Sequence, residues 1–344
     1  MQRSRFLVTG MLVLFAMPGL TSGAAAAPVD DLVAAARKEG VINFLAPSTL
    51  TPPGAETLGQ AFNKKYGLNI QLNYIPSGAM PRDVANVISQ TAAGMAPECD
   101  VLVVMDAHHA SLWLRKLHQT FDYAKLGVDP KMIHYDGGTV AFANQFIFPA
   151  YNKKTLPPQD VPKRWEDLLD PKWKGGKLGM SNATIHLAML ASGSWGEKRT
   201  TEYVKALAKQ DLNLGTLGEL YTRLQVGEIQ VAVTMTDSFI HRAKEKGAPI
   251  VHAEGIEPLI SPAYNAGVPK GVLHPNVGRL FVAFLITLQA QEIWEQYNGQ
   301  TSAFVPGTTA YKYAQGKRLV TMTQEKAEMV DRLAREYGKM LGFN

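Results

Sequence analysis

Short apolar runs alternate with helical stripes through the first third of the chain. Residues 41–46 (VINFLA) sit between Gly40 and Pro47, which predicts a buried strand. Ala55, Leu58 and Phe62 then recur on one helical face that stops at Gly67. Residues 68–75 (LNIQLNYI) alternate with period two, the pattern of a second strand. Pro81 opens a helix whose Val84, Val87, Ile88 and Thr91 fall at i, i+3, i+4 and i+7, with Gly94 past its end. Residues 99–105 (CDVLVVM) predict a third strand. Strand–helix–strand–helix–strand at this spacing predicts an α/β fold with a parallel sheet covered on both faces.

The pattern then changes. Residues 140–152 (VAFANQFIFPAYN) are β-rich and lead to a proline-dense turn at 156–162 (LPPQDVP). A new αβ region starts with 165–177 (WEDLLDPKWKGGK) and ends near 250–252. Residues 257–265 (EPLISPAYN) read as an extended return, followed by two long helices at about 276–298 and 323–340. In the last helix Ala327, Val330 and Ala334 lie beside Met329, Leu333 and Tyr337 in a broad apolar face. The expected organisation is a first lobe, 27–147 resumed at 255–344, and an inserted second lobe, 148–254. Two crossing segments would form a hinge and leave a cleft between the lobes. Residues 280–288 (LFVAFLITL) are too short to span a bilayer and predict a core helix.

The first 26 residues fit no part of this alternation. Arg3 and Arg5 precede the apolar run 6–20 (FLVTGMLVLFAMPGL), and small residues follow to Ala26. That order predicts a cleaved secretory signal peptide over 1–26 and a periplasmic product. The formal charge is +5, of which Arg3 and Arg5 leave with the leader, so the remaining chain carries +3. Lysines and arginines are dispersed, which argues against nucleic acid as a partner. With 46% hydrophobic and 19% charged residues the composition excludes a disordered chain. The one cysteine, Cys99, excludes an intramolecular disulfide and a thiolate zinc cluster, and none follows the leader to carry a lipid anchor. At the start of an apolar strand Cys99 reads as a small hydrophobe. The chain has no H-E-x-x-H, G-x-S-x-G or Walker pattern.

Residues 165–175 (WEDLLDPKWKG) strongly resemble the W-x-D-L-x-D-P-x-W-K-G run of bacterial extracellular solute-binding proteins, receptors of ABC importers, in the branch that includes ferric-iron binders. Residues 62–67 (FNKKYG) and 224–233 (LQVGEIQVAV) are similar to two further segments of that family, with Ala232 replacing a usual glycine. The resemblance implies a two-lobe, type 2 periplasmic-binding-protein-like fold with a hinged cleft. It also implies a binding role rather than catalysis, and a membrane permease as partner. Ferric binders in the branch carry adjacent tyrosines just after the "G-E" strand. The matching stretch here is 234–239 (TMTDSF), with Asp237 but no tyrosine pair. A small polar or anionic organic solute is therefore expected, with no cofactor and no metal site, and a monomer as the default. The alternative is ferric iron held with an exogenous anion, and the rival from another class is an exported enzyme using Cys99 or Asp237.

In α/β lobes ligands sit beyond the carboxyl ends of strands, near helix N-termini whose amides favour carboxylates or phosphates. Strand ends in the first lobe supply Ser48, Thr49, Ser77, Gly78, Asp106 and His108 as candidate ligand contacts. The second lobe supplies Ser181, Asn182, Thr184 and Asp237, and the extended return supplies Tyr264 and Asn265. Serine, threonine and asparagine before a helix are also ordinary caps. His109, His186, His241 and Arg242 stand near these positions, while Trp165 and Trp173 read as lobe packing.

Overall fold

The structure is a computed structural model that describes residues 28–343; the leader expected over 1–26 lies outside them. Helix α1 (Pro28–Glu39) precedes β1 (Val41–Pro47), α2 (Thr51–Tyr66), β2 (Gln71–Ser77), α3 (Met80–Ala92), β3 (Val101–Met105) and α4 (Asp106–Leu114). Two strands, β4 (Ile133–His134) and β5 (Thr139–Asn144), complete the first run. The capping signals act as expected at α2, where Gly67 takes a left-handed φ of 60° and its N–H reaches the Asn63 carbonyl. Strand β2 starts at Gln71 rather than 68. The Asn63 amide clasps Ile70, donating to its carbonyl at 2.9 Å and accepting from its N–H at 2.8 Å. That clasp ties the preceding residues to the helix end and keeps them out of the ladder.

The chain continues through β6 (Ile147–Asn152), β7 (Leu178–Ser181), α5 (Ile185–Met189), α6 (Gly196–Leu207), β8 (Asn213–Gly215) and α7 (Leu217–Val226). Then come β9 (Val231–Thr236), α8 (Asp237–Glu245), β10 (Ile250–His252), β11 (Leu259–Ile260) and β12 (Ala263–Gly267). Helices α9 (Pro275–Phe284), α10 (Leu288–Asn298) and α11 (Thr309–Ala314), strand β13 (Leu319–Val320) and helix α12 (Gln324–Leu341) finish it. The single helix expected at 276–298 is two helices. Thr287 breaks it by turning extended and capping the Ala290 N–H, while Gln291 takes up the Leu285 carbonyl at 2.7 Å.

Two sheets result. The first has the order β2-β1-β3-β12-β5-β4 and the second β13-β11-β6-β9-β7-β8, with β10 paired to β6. Strands β1, β2 and β3 are parallel, but β12 enters antiparallel beside β3, so the first sheet is mixed. Each sheet has its own apolar core, one built around Phe44, Phe62, Phe281 and Trp294, the other around Trp165, Trp173, Leu333 and Tyr337.

The C-terminal stretch does not stay with the first lobe as expected. Strand β13 pairs with β11 in the second sheet, and α12 buries Val330, Leu333 and Tyr337 in the second core. The chain therefore crosses between lobes three times: between β5 and β6, between β11 and β12, and between α10 and α11. An amphipathic stripe fits either sheet equally well, so periodicity alone carries no address. Among the described residues no helix is long and apolar enough to cross a membrane.

Candidate functional site

Strand registers bring the candidate residues to one place. In the first sheet Tyr264 pairs with Met105 and Ala263 with Asn144, so the ends of β3 and β5 share an edge with the start of β12. In the second, Ile147 pairs with both Thr236 and Ile260. Because β5 runs into β6 and β11 into β12, these two edges face each other across the crossings. The carboxyl ends of β1, β2 and β3 thus oppose those of β7, β8 and β9, and the gap between them is the cleft.

Asn144 joins the crossings. Its side-chain amide donates to Ser261 Oγ at 3.1 Å and accepts from the Ala303 N–H at 2.8 Å, while its own N–H reaches the Thr301 carbonyl at 2.9 Å. The sequence reading overlooked this residue, since a lone asparagine in an apolar run looks like any strand position.

On the first-lobe wall, Ser48, Thr49 and Gly78 are exposed, and the Thr49 hydroxyl donates to Asn298 at the end of α10. Ser77 is buried and donates to the Asp83 carboxylate on α3, so it braces the turn rather than facing the gap. Asp106 is buried and accepts from the Ala107 N–H at 2.7 Å and, across to β12, from the Ala263 N–H at 3.2 Å. His108 is half-buried, with Asp331 of α12 the acid that acts on it across the lobes. Arg82 also escaped the sequence reading. A Cβ added at Gly78 would lie 3.5 Å from its guanidinium, so Arg82 folds over the turn that starts α3. No acid pairs with it among the described residues.

On the second-lobe wall, Ser181 is fully buried against Thr234 at 3.2 Å, and Thr184 donates to the Ala334 carbonyl of α12 at 2.7 Å. Both hold the fold and neither is free for a ligand. Asn182 is exposed, and its N–H is held by the Gly215 carbonyl at 2.9 Å. Asn265 lies inside the first lobe, donating to Thr139 Oγ1 at 3.0 Å. The alternation along β12 turns Asn265 inward, away from the gap. Tyr264 is also buried, and its phenol, bonded to the Gln145 side chain, is pushed up to about 12 by burial and then by Asp237.

Helix starts around the gap differ in a way that matters. The start of α7 is closed by its own Thr216–Glu219 box, with reciprocal bonds of 3.3 and 2.6 Å. At the start of α4 the Asp106 carboxylate takes the Ala107 N–H. The start of α3 has no side-chain cap. On the opposite wall, the N–H groups of Ala183 and Thr184 before α5 carry no bond among the described residues.

Residues 42–298, more than half of the chain, match the family model described as bacterial extracellular solute-binding protein. The chain belongs to this family. Among characterised folds, this solute-binding protein is similar to iron-bound HitA from Pseudomonas aeruginosa, with TM-score 0.67 and 19% identity over 87% of this chain and 99% of that one. It is also similar to Trichodesmium IdiA (FutA) in complex with iron and citrate, with TM-score 0.69 and 19% identity over 89% and 100% of the two chains. An open form of Mannheimia haemolytica ferric iron-binding protein A gives TM-score 0.70 and 14% identity over 88% and 98%. An uncharacterised protein of Haemophilus influenzae is 29% identical over 164 residues, which span 44% of this chain and 45% of that one. The architecture is thus that of two-lobe periplasmic binding proteins, a fold and family of binders rather than enzymes.

At the start of α8 this solute-binding protein presents Asp237 and Ser238. Asp237 accepts from the Phe146 N–H of the first crossing at 3.2 Å and from Gln300 at 3.4 Å. Burial pushes its carboxyl up to about 7, against the opposing pull of these bonds, and burial does the same to Asp106. Each lobe therefore sets one carboxyl against a backbone N–H of a crossing, and neither keeps a full negative charge at neutral pH. Among the described residues no group of three or more His, Cys, Asp or Glu is placed to hold a metal ion. Cys99 is fully buried, and burial drives its thiol far up, so it offers no thiolate. His186 carries a buried, unpartnered Nδ1 and is lowered to about 4 by burial, hence neutral.

Proposed function

We propose that this protein is the periplasmic receptor of an ABC importer and that its cleft captures a small anionic organic solute for delivery to the permease. The observation that carries this is the unpaired Arg82 guanidinium over the uncapped start of α3, with the free amides of Ala183 and Thr184 beyond the end of β7 in the other lobe. Free amides and an unpaired guanidinium are what a carboxylate or phosphate needs. The two cleft carboxyls oppose an anion less than free carboxylates would, being held by backbone donors and raised toward neutrality. A monomer exported through a cleaved leader fits the same reading.

Ferric iron with an exogenous anion is the second reading, since Tyr264 and Tyr313 both lie within electrostatic reach of Asp237. Burial keeps both phenols protonated, which weakens them as ligands. Titration of the mature chain with citrate, inorganic phosphate and ferric citrate, read by intrinsic fluorescence, separates the two. The expected result is saturable binding of a metal-free organic anion, weakened at least tenfold by Arg82→Gln. A response to ferric citrate alone, with visible colour and none to metal-free anions, sinks the anion reading in favour of iron.

A further inference from the structure

Beside the hinge lies a cavity of about 210 Å³ that both lobes build. Four paired rings stand in its wall. Phe148 stacks on His252 with centroids 4.3 Å apart, and Phe146 meets Tyr313 at 5.0 Å. Two acids line it, Asp237 from the start of α8 and Glu295 from α10. The lining contains no lysine or arginine. The two histidines on it are bound to acids elsewhere, His241 to Glu245 at 3.2 Å and His252 to Glu254 at 2.9 Å. Glu295 makes no side-chain hydrogen bond and no ion pair among the described residues. The bonds that Asp237 accepts from Phe146 and Gln300, at 3.2 and 3.4 Å, are long.

We propose that this cavity is a binding site for a small organic ammonium. Ring faces carry negative potential and attract a cation laid against them. A mostly apolar, pre-formed pocket with a few convergent polar groups is the usual form of a small-molecule site. Glu295 gives that preference a sign, because no lysine or arginine lines the cavity and both histidines on it already face acids of their own. Outside the cavity the Lys317 ammonium lies 4.0 Å from the Tyr313 centroid, where the Tyr313 carbonyl also accepts from it at 2.6 Å. Size fits as well: a cavity of about 150 Å³ accommodates benzene, so this one takes a six-membered ring bearing an aminomethyl group. Asn144, Glu295 and Gln300 come from the first lobe and Asp237, His252 and Tyr313 from the second, so an occupant is gripped by both and favours the hinge angle at which both reach it.

This inference does not rest on the anion reading of the cleft. The ammonium is either the amine of a zwitterionic solute whose anionic end reaches the free amides, or a separate amine. Calorimetric titration of the mature chain at pH 7.5 tests the site with three probes: benzylamine, neutral benzyl alcohol and 4-(aminomethyl)benzoate. Benzylamine should saturate one site at least tenfold more tightly than benzyl alcohol. Glu295→Gln should remove most of that preference and leave benzyl alcohol unchanged. Ala310→Phe, which fills the cavity, should abolish benzylamine binding while citrate binding in the cleft persists. Tighter binding of 4-(aminomethyl)benzoate than of benzylamine supports the site and assigns it to a zwitterionic solute; equal binding supports it as a site for a free amine. Equal affinity for benzylamine and benzyl alcohol, no saturable benzylamine binding, or indifference to Glu295→Gln overturns the proposal.

Discussion

Asp106 and Asp237 show how a single residue can brace a crossing segment with its carboxyl. Each sits at the end of a parallel strand, spends its carboxyl on a backbone N–H of a crossing segment, and is raised from 3.8 to about 7 by burial. The folded chain therefore keeps protons that the unfolded chain releases near 4. Folding takes up protons across this window, so the contribution of both groups to stability falls as pH rises from about 4 to 7. Thermal unfolding of Asp237→Asn at pH 5 and pH 8 checks the sign. The variant keeps an acceptor for Phe146 but has no charge to bury, so its melting temperature should drop less between the two pH values than that of the wild type. An unchanged drop would mean that Asp237 titrates normally. The aspartates were legible as candidates because they follow strands, but their bonding was not. Ser77, Ser181 and Thr184 teach the same lesson: a hydroxyl before a helix reads identically whether it faces a ligand or braces the fold.

Among the elements, the turn at 165–175 combines a strong local signal with a tertiary task. Its two tryptophans are both buried in the second core, Trp165 donating to the Pro258 carbonyl at 3.0 Å and Trp173 to the Asp167 carbonyl at 2.8 Å. Pro258 lies just before β11, so Trp165 fastens the turn to the return segment. Trp165→Ala removes a large buried ring and leaves that carbonyl unpaired, and should cost about 3–5 kcal/mol in urea unfolding. Trp165→Phe, which keeps most of the ring, should recover part of it; equal losses would show that packing contributes little here. Elsewhere strands and helices came through from periodicity with shifted ends. The shifts trace to side chains, Asn63 at the start of β2 and Thr287 between α9 and α10, that compete with the regular backbone bonding.

For the whole molecule the decisive feature is the triple crossing and the residue that gathers it. Asn144 bonds to Ser261 and Ala303, which lie on the other two crossings, from a site only 1% exposed. Asn144→Ala leaves two buried polar groups without partners, at about 1–3 kcal/mol each. It should therefore lower stability and also loosen the lobes. Small-angle scattering should show a broader distribution of interlobe distances for ligand-free Asn144→Ala than for the wild type; an unchanged profile would mean that Asn144 only supports its own lobe. The same crossings set the amine cavity, so a loosened hinge should weaken benzylamine as well.

What the sequence determined alone was the local alternation of strand and helix, the glycine and proline stops, the resemblance carried by 165–175, and the positions that reach strand ends. These depend on contacts a few residues apart, which leave a periodic trace. The tertiary structure decided which lobe holds β13 and α12, how many times the chain crosses, and that Arg82 hangs free while Ser181 is shut in. It also placed Glu295 and Asp237 around one ring-walled cavity. Those outcomes rest on partners more than fifty residues apart, and no spacing along the chain records them.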